Sequence, residues 1–199
     1  MKLILASNNA SKLREMRQLL AADGIEVLSQ REAGCDFEVE ETGTTFEENA
    51  YLKAAAVTKA TGLPAVADDS GLAVEALDGA PGIYSARFTG NRGDTDADRN
   101  ACLLRMLEGV TNRRAKFVSC VCCTFPDGTV IRTRGEMPGS IGYVCRGTEG
   151  FGYDPLFWSD AYPGRSNGEL TSEEKNAVSH RGQAMRAFAE ELRKRYADR

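Results

Sequence analysis

Short apolar runs alternate with helix-like periodicity over the first third of the chain. Residues 2–6 and 25–28 are apolar runs that predict buried strands, and apolar side chains at helical spacing over 13–20 predict a helix between them. A second helix is predicted after Thr45, because Thr45 and Glu48 have the spacing of a capping box. Alternating strands and helices are typical of an α/β fold.

Turn and cap residues mark further element boundaries. A short strand at 65–67 is predicted to stop at the turn-like sequence Asp68-Asp69-Ser70-Gly71, with a separate strand at 72–77. A capping-box pattern starts at Thr171, and Ser179 is placed to cap the last helix. These local signals predict where elements begin and end in both halves of the chain.

The central part of the chain predicts one helix and one β-hairpin. Residues 96–107 have helical periodicity, and the strand-like runs 115–125 and 129–136 flank Pro126-Asp127-Gly128, which is a hairpin signal. The stretch from the hairpin to the Thr171 cap is predicted to be rich in loops. The most economical assembly is a mixed α/β fold in which the hairpin belongs to a second lobe.

Charge and apolar content restrict the functional classes. The 199 residues contain 25 Lys and Arg against 29 Asp and Glu, so a net charge of −4 argues against binding nucleic acid through overall charge. No apolar run approaches the roughly 20 residues of a membrane span, and the short apolar start is followed at once by polar Ser7. We therefore expect one cytoplasmic domain, residues 1–199, with six reduced cysteines and with neither nucleic acid nor membrane as a partner.

The junction between the first strand and the first helix is a candidate phosphate site. A helix N-terminus has free N–H groups and about half a positive charge, which attract phosphate. The glycines of a Walker motif are missing, and an ordinary capped turn is the competing interpretation. The candidate residues are Ser7, Asn8, Asn9, Ala10, Ser11 and Lys12.

The adjacent acids Asp68 and Asp69 are a candidate metal and catalytic site. Hard carboxylate oxygens suit Mg²⁺, which keeps several waters and bridges to substrate phosphates. Neighbouring strand residues project in different directions, so one acid can face a cleft while the other braces it. A plain strand-to-turn transition explains the pair equally well. Glu40 or Glu41 could supply a second ligand if Asp69 lies near them.

Two later segments offer groups that suit a flat, acceptor-rich ligand. The glycines around Phe151 allow close backbone approach, and its ring is available for stacking. Lys175, His180 and Arg181 form a donor cluster near the start of the last helix. Because His180 is the only histidine, no zinc site with more than one histidine ligand is available. A glycine-rich turn and a surface basic patch are the competing interpretations.

The sequence Cys120-Val121-Cys122-Cys123 looks like a metal motif but is better explained by packing. A strand would direct these thiols to opposite faces. Free cysteine is also a good buried apolar residue. We therefore expect the cluster to be part of the core.

Six motifs follow one another in a specific order over nearly the whole chain. They are SNNASK at 7–12, ETGTTFEENA at 41–50, ADDSGL at 67–72, GAPGIYSAR at 79–87, FGYDP at 151–155 and EKNAVSHR at 174–181. Their order and spacing resemble the inosine triphosphate pyrophosphatase family, the non-canonical purine NTP pyrophosphatases, which are also called XTP/dITP diphosphatases. The bacterial form is the most similar.

The resemblance implies a fold, a reaction and a set of site residues. The fold would be elongated and α/β, with two lobes, a long mixed sheet flanked by helices and a central cleft, usually in a homodimer. The reaction would be Mg²⁺-dependent hydrolysis of ITP, dITP and XTP to the monophosphate and pyrophosphate, which removes deaminated purines from the nucleotide pool. Residues 7–12 and Lys53 would hold the phosphates. Asp69 would be proton acceptor and metal ligand, with Glu40, favoured over Glu41, as the second ligand.

The resemblance also places the nucleoside end of the substrate. The residues implied there are Ser70, Phe151, Gly152, Tyr153, Asp154, Lys175, His180 and Arg181. Hypoxanthine and xanthine carry an acceptor oxygen at position 6, where adenine carries an amino donor. Donors from Lys175, His180 or Arg181 would therefore favour the keto bases.

Two alternatives remain beside this enzyme. One is a non-catalytic nucleotide-binding module, and the other is a Mg²⁺-dependent hydrolase of a different nucleotide. A binding module would leave the adjacent acids Asp68 and Asp69 without a purpose, so the pyrophosphatase is the main hypothesis.

Overall fold

The computed structural model describes residues 1–197, which contain six β-strands and five α-helices. Residues 198 and 199 of the predicted domain lie outside the described part. In chain order the elements are β1 (Lys2–Leu5), α1 (Ala10–Leu20), β2 (Glu26–Ser29), α2 (Phe46–Thr61), β3 (Ala65–Val74), α3 (Asp96–Met106), β4 (Arg114–Thr124), β5 (Val130–Ile141), β6 (Phe157–Ser159), α4 (Ser172–Val178) and α5 (His180–Ala197).

All six strands belong to one mixed sheet with the order β2-β1-β3-β4-β5-β6. β1 is parallel to both β2 and β3, and Leu5 pairs with Val66 of β3. β6 is antiparallel to β5. The mixed α/β class with a helix-flanked sheet is therefore confirmed. β6 lies in the stretch that was predicted to be rich in loops. The sequence did not reveal this strand because three residues are too few for a strand periodicity to show.

β3 differs from the prediction. The two separate strands expected around Asp68-Asp69-Ser70-Gly71 are one continuous strand, and residues 75–77 form a 3₁₀ helix instead of extending the second one. Asp-Ser-Gly is a turn signal only while its side chains lack other partners. Here Asp68 and Asp69 form ion pairs with lysines of α1 and α2, so the backbone remains extended through both acids.

The helix caps follow the predicted pattern. Thr45 Oγ1 accepts a hydrogen bond from the Glu48 N–H at 3.1 Å, and Thr171 and Glu174 form a complete capping box. Ser179 Oγ accepts the N–H of Gly182 at 3.0 Å. These bonds satisfy N–H groups that a helix start would otherwise leave open.

The chain divides into two compact units, each with its own apolar core. The first contains Met1–Asp69, Ser119–Arg134 and the chain from Gln183, and the second contains Ser70–Val118 and Gly135–Gly182. The turn end of the hairpin groups with the N-terminus, because Val121, Cys123 and Phe125 pack into the first core. The other ends of β4 and β5 belong to the second unit, so the prediction of a hairpin in a second lobe is correct for only part of the hairpin. The first core also contains the side chains Met185, Phe188, Ala189 and Leu192 of α5.

None of the helices within residues 1–197 combines the length and the apolar character that a bilayer crossing requires.

Candidate active site

The residues that follow β1 form a hydrogen-bonded cap on α1. Asn9 Oδ1 accepts the N–H groups of Ser11 and Lys12, each at 3.0 Å, and Ser7 Oγ accepts the N–H of Asn9 at 3.1 Å. These bonds are those of an ordinary capped turn. They also show that the two N–H groups converge on one oxygen. A phosphate oxygen that replaced Asn9 Oδ1 would find both donors already oriented.

Asn8 has a different role in this cap. Its side-chain amide donates to Asp36 at 2.8 Å, and its Oδ1 accepts the N–H of Arg31 at 3.0 Å. The side chain therefore ties the junction to the segment after β2. Ala10 and Ser11 are exposed at the first turn of α1, so the backbone there is accessible.

Lys12 of α1 pairs with Asp68 of β3. Its Nζ lies 2.8 Å from each carboxylate oxygen of Asp68, whose side chain is only 6% exposed. β1 and β3 are parallel neighbours, and Leu5 at the end of β1 pairs with Val66 of β3. The residues that follow β1 are therefore level with the middle of β3, where Asp68 lies. The pairing of Lys12 with this acid is a contact that the sequence analysis did not predict.

Lys53 of α2 lies beside the other acid of the pair. Its Nζ is 2.7 Å from Glu41 Oε1 and 3.8 Å from Asp69 Oδ1. The two adjacent acids thus project in different directions, as predicted, with Asp68 on Lys12 and Asp69 on Lys53. Glu40 is exposed, and within the described residues its carboxylate makes no hydrogen bond or ion pair.

The carboxylates of the first unit fit a magnesium ion that arrives with phosphate. Lys53 lies against two carboxylates, those of Glu41 and Asp69, so this group has an excess of negative charge. Within residues 1–197, no group of three or more His, Cys, Asp or Glu side chains is arranged to hold a metal. Mg²⁺ commonly takes one or two carboxylates and completes its shell with water and substrate phosphate. Glu41 and Asp69 suit that pattern better than a closed protein cage.

Asp154 organises the aromatic loop of the second unit. Its carboxylate accepts the N–H of Phe151 at 2.9 Å and the side-chain amide of Asn167 at 3.3 Å, and it pairs with Lys175. Asp154 itself is only 2% exposed. Its side chain therefore holds the loop and Lys175, whereas the neighbouring Phe151 ring is 74% exposed.

The two aromatic residues of this loop have opposite surroundings. The hydroxyl of buried Tyr153 donates to the carbonyl of Ser85 at 2.8 Å, and burial raises the pKa of Tyr153 above its ordinary value. Lys175 Nζ lies 4.7 Å from the centre of the exposed Phe151 ring. Tyr153 therefore anchors the loop, and Phe151 presents a ring beside a positive charge.

His180 and Arg181 stand at the start of α5 and are both partly buried. The imidazole of His180 stacks on Phe117, with centroids 5.0 Å apart and planes 13° apart. Ser70, also partly buried, belongs to the second unit as the residue after Asp69 in β3. The stacked ring fixes the direction in which the imidazole nitrogens can donate.

Several contacts of these groups were missed by sequence reasoning. Three are hydrogen bonds, which join Asp96 and Asn100 of α3 to Gly152 and Asn167 to Asp154. The fourth is the stacking of Phe117 on His180. One signal for Asn100 was present, because it stands with Leu103, Leu104 and Leu107 on the helical stripe that faces the core. A polar residue in such a stripe needs a hydrogen-bond partner.

The cysteine cluster is part of the core, as expected. Cys120, Cys122 and Cys123 are at most 1% exposed, and Cys123 packs in the core of the first unit. Burial raises the pKa of Cys120 to about 12 and that of Cys122 to about 11. These thiols therefore stay protonated at neutral pH.

Comparison with known proteins identifies relatives over nearly the whole length. A family model described as the Ham1 family matches residues 3–191. A dITP/XTP pyrophosphatase of Deinococcus deserti is 54% identical, with 94% of this chain and 87% of the relative covered. One from an Exiguobacterium species is 48% identical, with coverage of 96% and 97%. The solved Ham1 protein of Staphylococcus aureus superposes with a TM-score of 0.91 at 38% identity, covering 98% of this chain and all of that one.

Proposed function

The chain belongs to the Ham1 family, and on that premise we propose that it hydrolyses dITP, XTP and ITP to the monophosphate and pyrophosphate with Mg²⁺. Its class, nucleoside-triphosphate pyrophosphatase, follows from two relatives named dITP/XTP pyrophosphatase, which are 54% and 48% identical over nearly the whole chain. The observation that supports the finer proposal is the position of Lys53 against both Glu41 and Asp69.

In this proposal the first unit carries the phosphate chemistry. The N–H groups of Ser11 and Lys12 and the ammonium of Lys53 bind phosphate oxygens. Asp69 orients a water molecule and takes its proton as the oxygen attacks the α-phosphorus. The bond from that phosphorus to the bridging oxygen breaks, and pyrophosphate leaves. Mg²⁺, when bound, supplies positive charge to the phosphate oxygens.

The second unit carries base recognition. The exposed ring of Phe151 offers a face for stacking a purine, and His180 and Arg181 provide donors for the oxygen at position 6. Lys175 is already paired with Asp154, so it supports Phe151 and adds positive charge near the base. Adenine, with a donor at position 6, would leave these donors unpaired.

The physiological part of the proposal follows from the same substrates. Hydrolysis of dITP, XTP and ITP would remove deaminated purines from the nucleotide pool. We propose that the enzyme does this as a homodimer in the cytoplasm. Sedimentation of the purified protein measures its mass in solution. For a homodimer we expect about twice the 21.6 kDa of one chain.

The deciding experiment measures phosphate release from dITP, XTP, ITP, GTP and ATP, with and without inorganic pyrophosphatase. We expect a signal from dITP, XTP and ITP only when the coupling enzyme is present, and ATP, which has an amino group at position 6, to be slower by about 10²-fold or more. EDTA should abolish the signal and excess Mg²⁺ should restore it. Phosphate without the coupling enzyme would indicate removal of the γ-phosphate, and tight ITP binding without turnover would indicate a binding module.

A further inference from the structure

The peptide groups of Gly152 are held from both sides by α3. The N–H of Gly152 donates to Asp96 Oδ2 at 2.7 Å, and its carbonyl accepts the side-chain amide of Asn100 at 3.0 Å. Asp96 and Asn100 are four residues apart, so they lie on one face of the helix. Two side chains of a single turn therefore bind one glycine that is more than fifty residues away in the sequence.

The helix that holds Gly152 is itself fixed. Leu103 and Leu107 have 0% and 1% exposure in the core of the second unit, and Asn100 is 3% exposed. Thr95 and Asp98 form a capping box at the helix start. Gly152 has φ of +60°, a conformation that favours glycine and that a flexible loop would leave readily. The two hydrogen bonds to α3 keep the loop in that conformation.

Gly152 lies between Phe151, the aromatic residue of the proposed base site, and the two residues that anchor the loop. Phe151 precedes it with an exposed ring, and Tyr153 and Asp154 follow it as buried anchors. Asp154 and Tyr153 hold the residues that follow the glycine. α3 holds the peptide groups of Gly152 itself, which are joined to the Phe151 backbone.

We propose that Asp96 and Asn100 are positioning residues for base recognition. They set the direction of the Phe151 ring and so the fit of the purine, without touching the phosphate chemistry of Asp69. This inference rests on the proposed function, and it predicts an effect on KM and on the choice of base, with kcat nearly unchanged.

Asp96 is the better residue for the test, because its side chain is 48% exposed and its loss does not empty the core. Asp96→Ala removes the acceptor of the Gly152 N–H, whereas Asp96→Asn keeps an oxygen in that place. Asp98→Ala is the matched control, since it removes an acid from the same helical turn whose side-chain hydrogen bonds, among residues 1–197, go to Thr95 alone.

The experiment measures kcat and KM for dITP and dATP, together with amide hydrogen exchange of the 150–154 segment. For Asp96→Ala we expect KM for dITP to rise about tenfold with kcat within about twofold, and Gly152 to exchange about tenfold faster. Asp96→Asn should restore both values to near those of the wild type. Asp98→Ala should leave both unchanged even where it lowers the melting temperature.

The inference is overturned if the wild type turns over dITP and Asp96→Ala has the same KM, or if Asp98→Ala raises KM equally. If the wild type releases no pyrophosphate from dITP, the proposed function fails instead. In that case the exchange rate of Gly152 still decides whether α3 holds the loop.

Discussion

Each unit of the protein holds one lysine against one nearly buried aspartate, and the two pairs differ in what surrounds them. The first unit also holds a second lysine, Lys53, which lies near two further carboxylates, those of Glu41 and Asp69. Lys175 and Asp154 lie in a loop where Asp154 also binds a backbone N–H and an asparagine amide. The first unit therefore gathers two acids on Lys53, whereas the pair of the second unit belongs to a network of directed hydrogen bonds.

The difference indicates that the two units have different roles in the proposed reaction. In the first unit, Glu41 and Asp69 outnumber Lys53, so this group favours a cation and the phosphates that accompany it. In the second, charge is balanced one to one, and the remaining features are an exposed ring and oriented donors. We therefore expect changes in the first unit to affect turnover and metal dependence, and changes in the second to affect the choice of base.

The largest expected effect comes from Asp69→Asn. It removes both the proposed proton acceptor and a carboxylate for the metal, so turnover of dITP should fall by about 10²–10⁴-fold. Pyrophosphate release is the measurement, with Asp160→Asn as a control, since that acid is exposed and its ion pair in the described part of the chain is with Arg114. The dITP to dATP ratio should not change. Retention of more than about a tenth of the wild-type rate would contradict the catalytic role.

The next effect distinguishes the two candidate glutamates. Glu41→Gln should raise the Mg²⁺ concentration for half-maximal activity by about tenfold, the order expected when a group that holds a metal site is lost. Glu40→Gln should have little effect, because its carboxylate is exposed and apart from Lys53. A Mg²⁺ titration of both variants is the measurement. A shift only in Glu40→Gln would support the ligand that the family resemblance favoured.

In the second unit, Arg181→Ala should change the choice of base. Loss of a donor to the oxygen at position 6 should lower kcat/KM for dITP by about tenfold while leaving dATP nearly unchanged. Arg186→Ala, an exposed position on the same helix, serves as the control. An equal loss for both nucleotides would indicate that Arg181 binds phosphate or supports the fold. It would contradict the assignment of base recognition to Arg181 in the second unit.

The smallest effect concerns the anchor of the aromatic loop. Tyr153→Phe leaves the Ser85 carbonyl without its buried donor, so the free energy of unfolding should fall by about 1–2 kcal/mol. Tyr143→Phe is the matched control, because Tyr143 is 71% exposed. Urea denaturation measures both variants. Equal stability of the two would show that the Tyr153 bond does not hold the loop.

Much of the fold could be predicted where one local feature decides the structure. The Thr45 and Thr171 caps, the Ser179 cap and the hairpin around Asp127 were predicted, because a side chain and a nearby N–H are enough to set them. β6 was missed because three residues are too few for a strand periodicity to show, and β3 was wrongly divided because Asp68 and Asp69 find partners in α1 and α2 that the local sequence does not reveal.

The sequence indicated which charged residues could form the candidate site, but it did not indicate which ion pairs they form. Asp69, Lys12 and Lys53 carry the charges that the proposed chemistry needs, and their order along the chain pointed to them. Which acid each lysine meets could not be inferred, since Lys12 and Asp68 are 56 positions apart. The same holds for Glu41, which the sequence could not separate from its neighbour Glu40.

The sequence alone determined the α/β class, the helix caps, the buried cysteines and the set of polar residues available for chemistry. These follow from periodicity and from contacts within a few residues, where chain connectivity keeps the partners close. The tertiary structure decided that β3 runs straight through its acids, that Lys53 lies between Glu41 and Asp69, and that α3 holds Gly152. Such contacts depend on strand register and helix packing, which arise only when distant segments bury their apolar faces together.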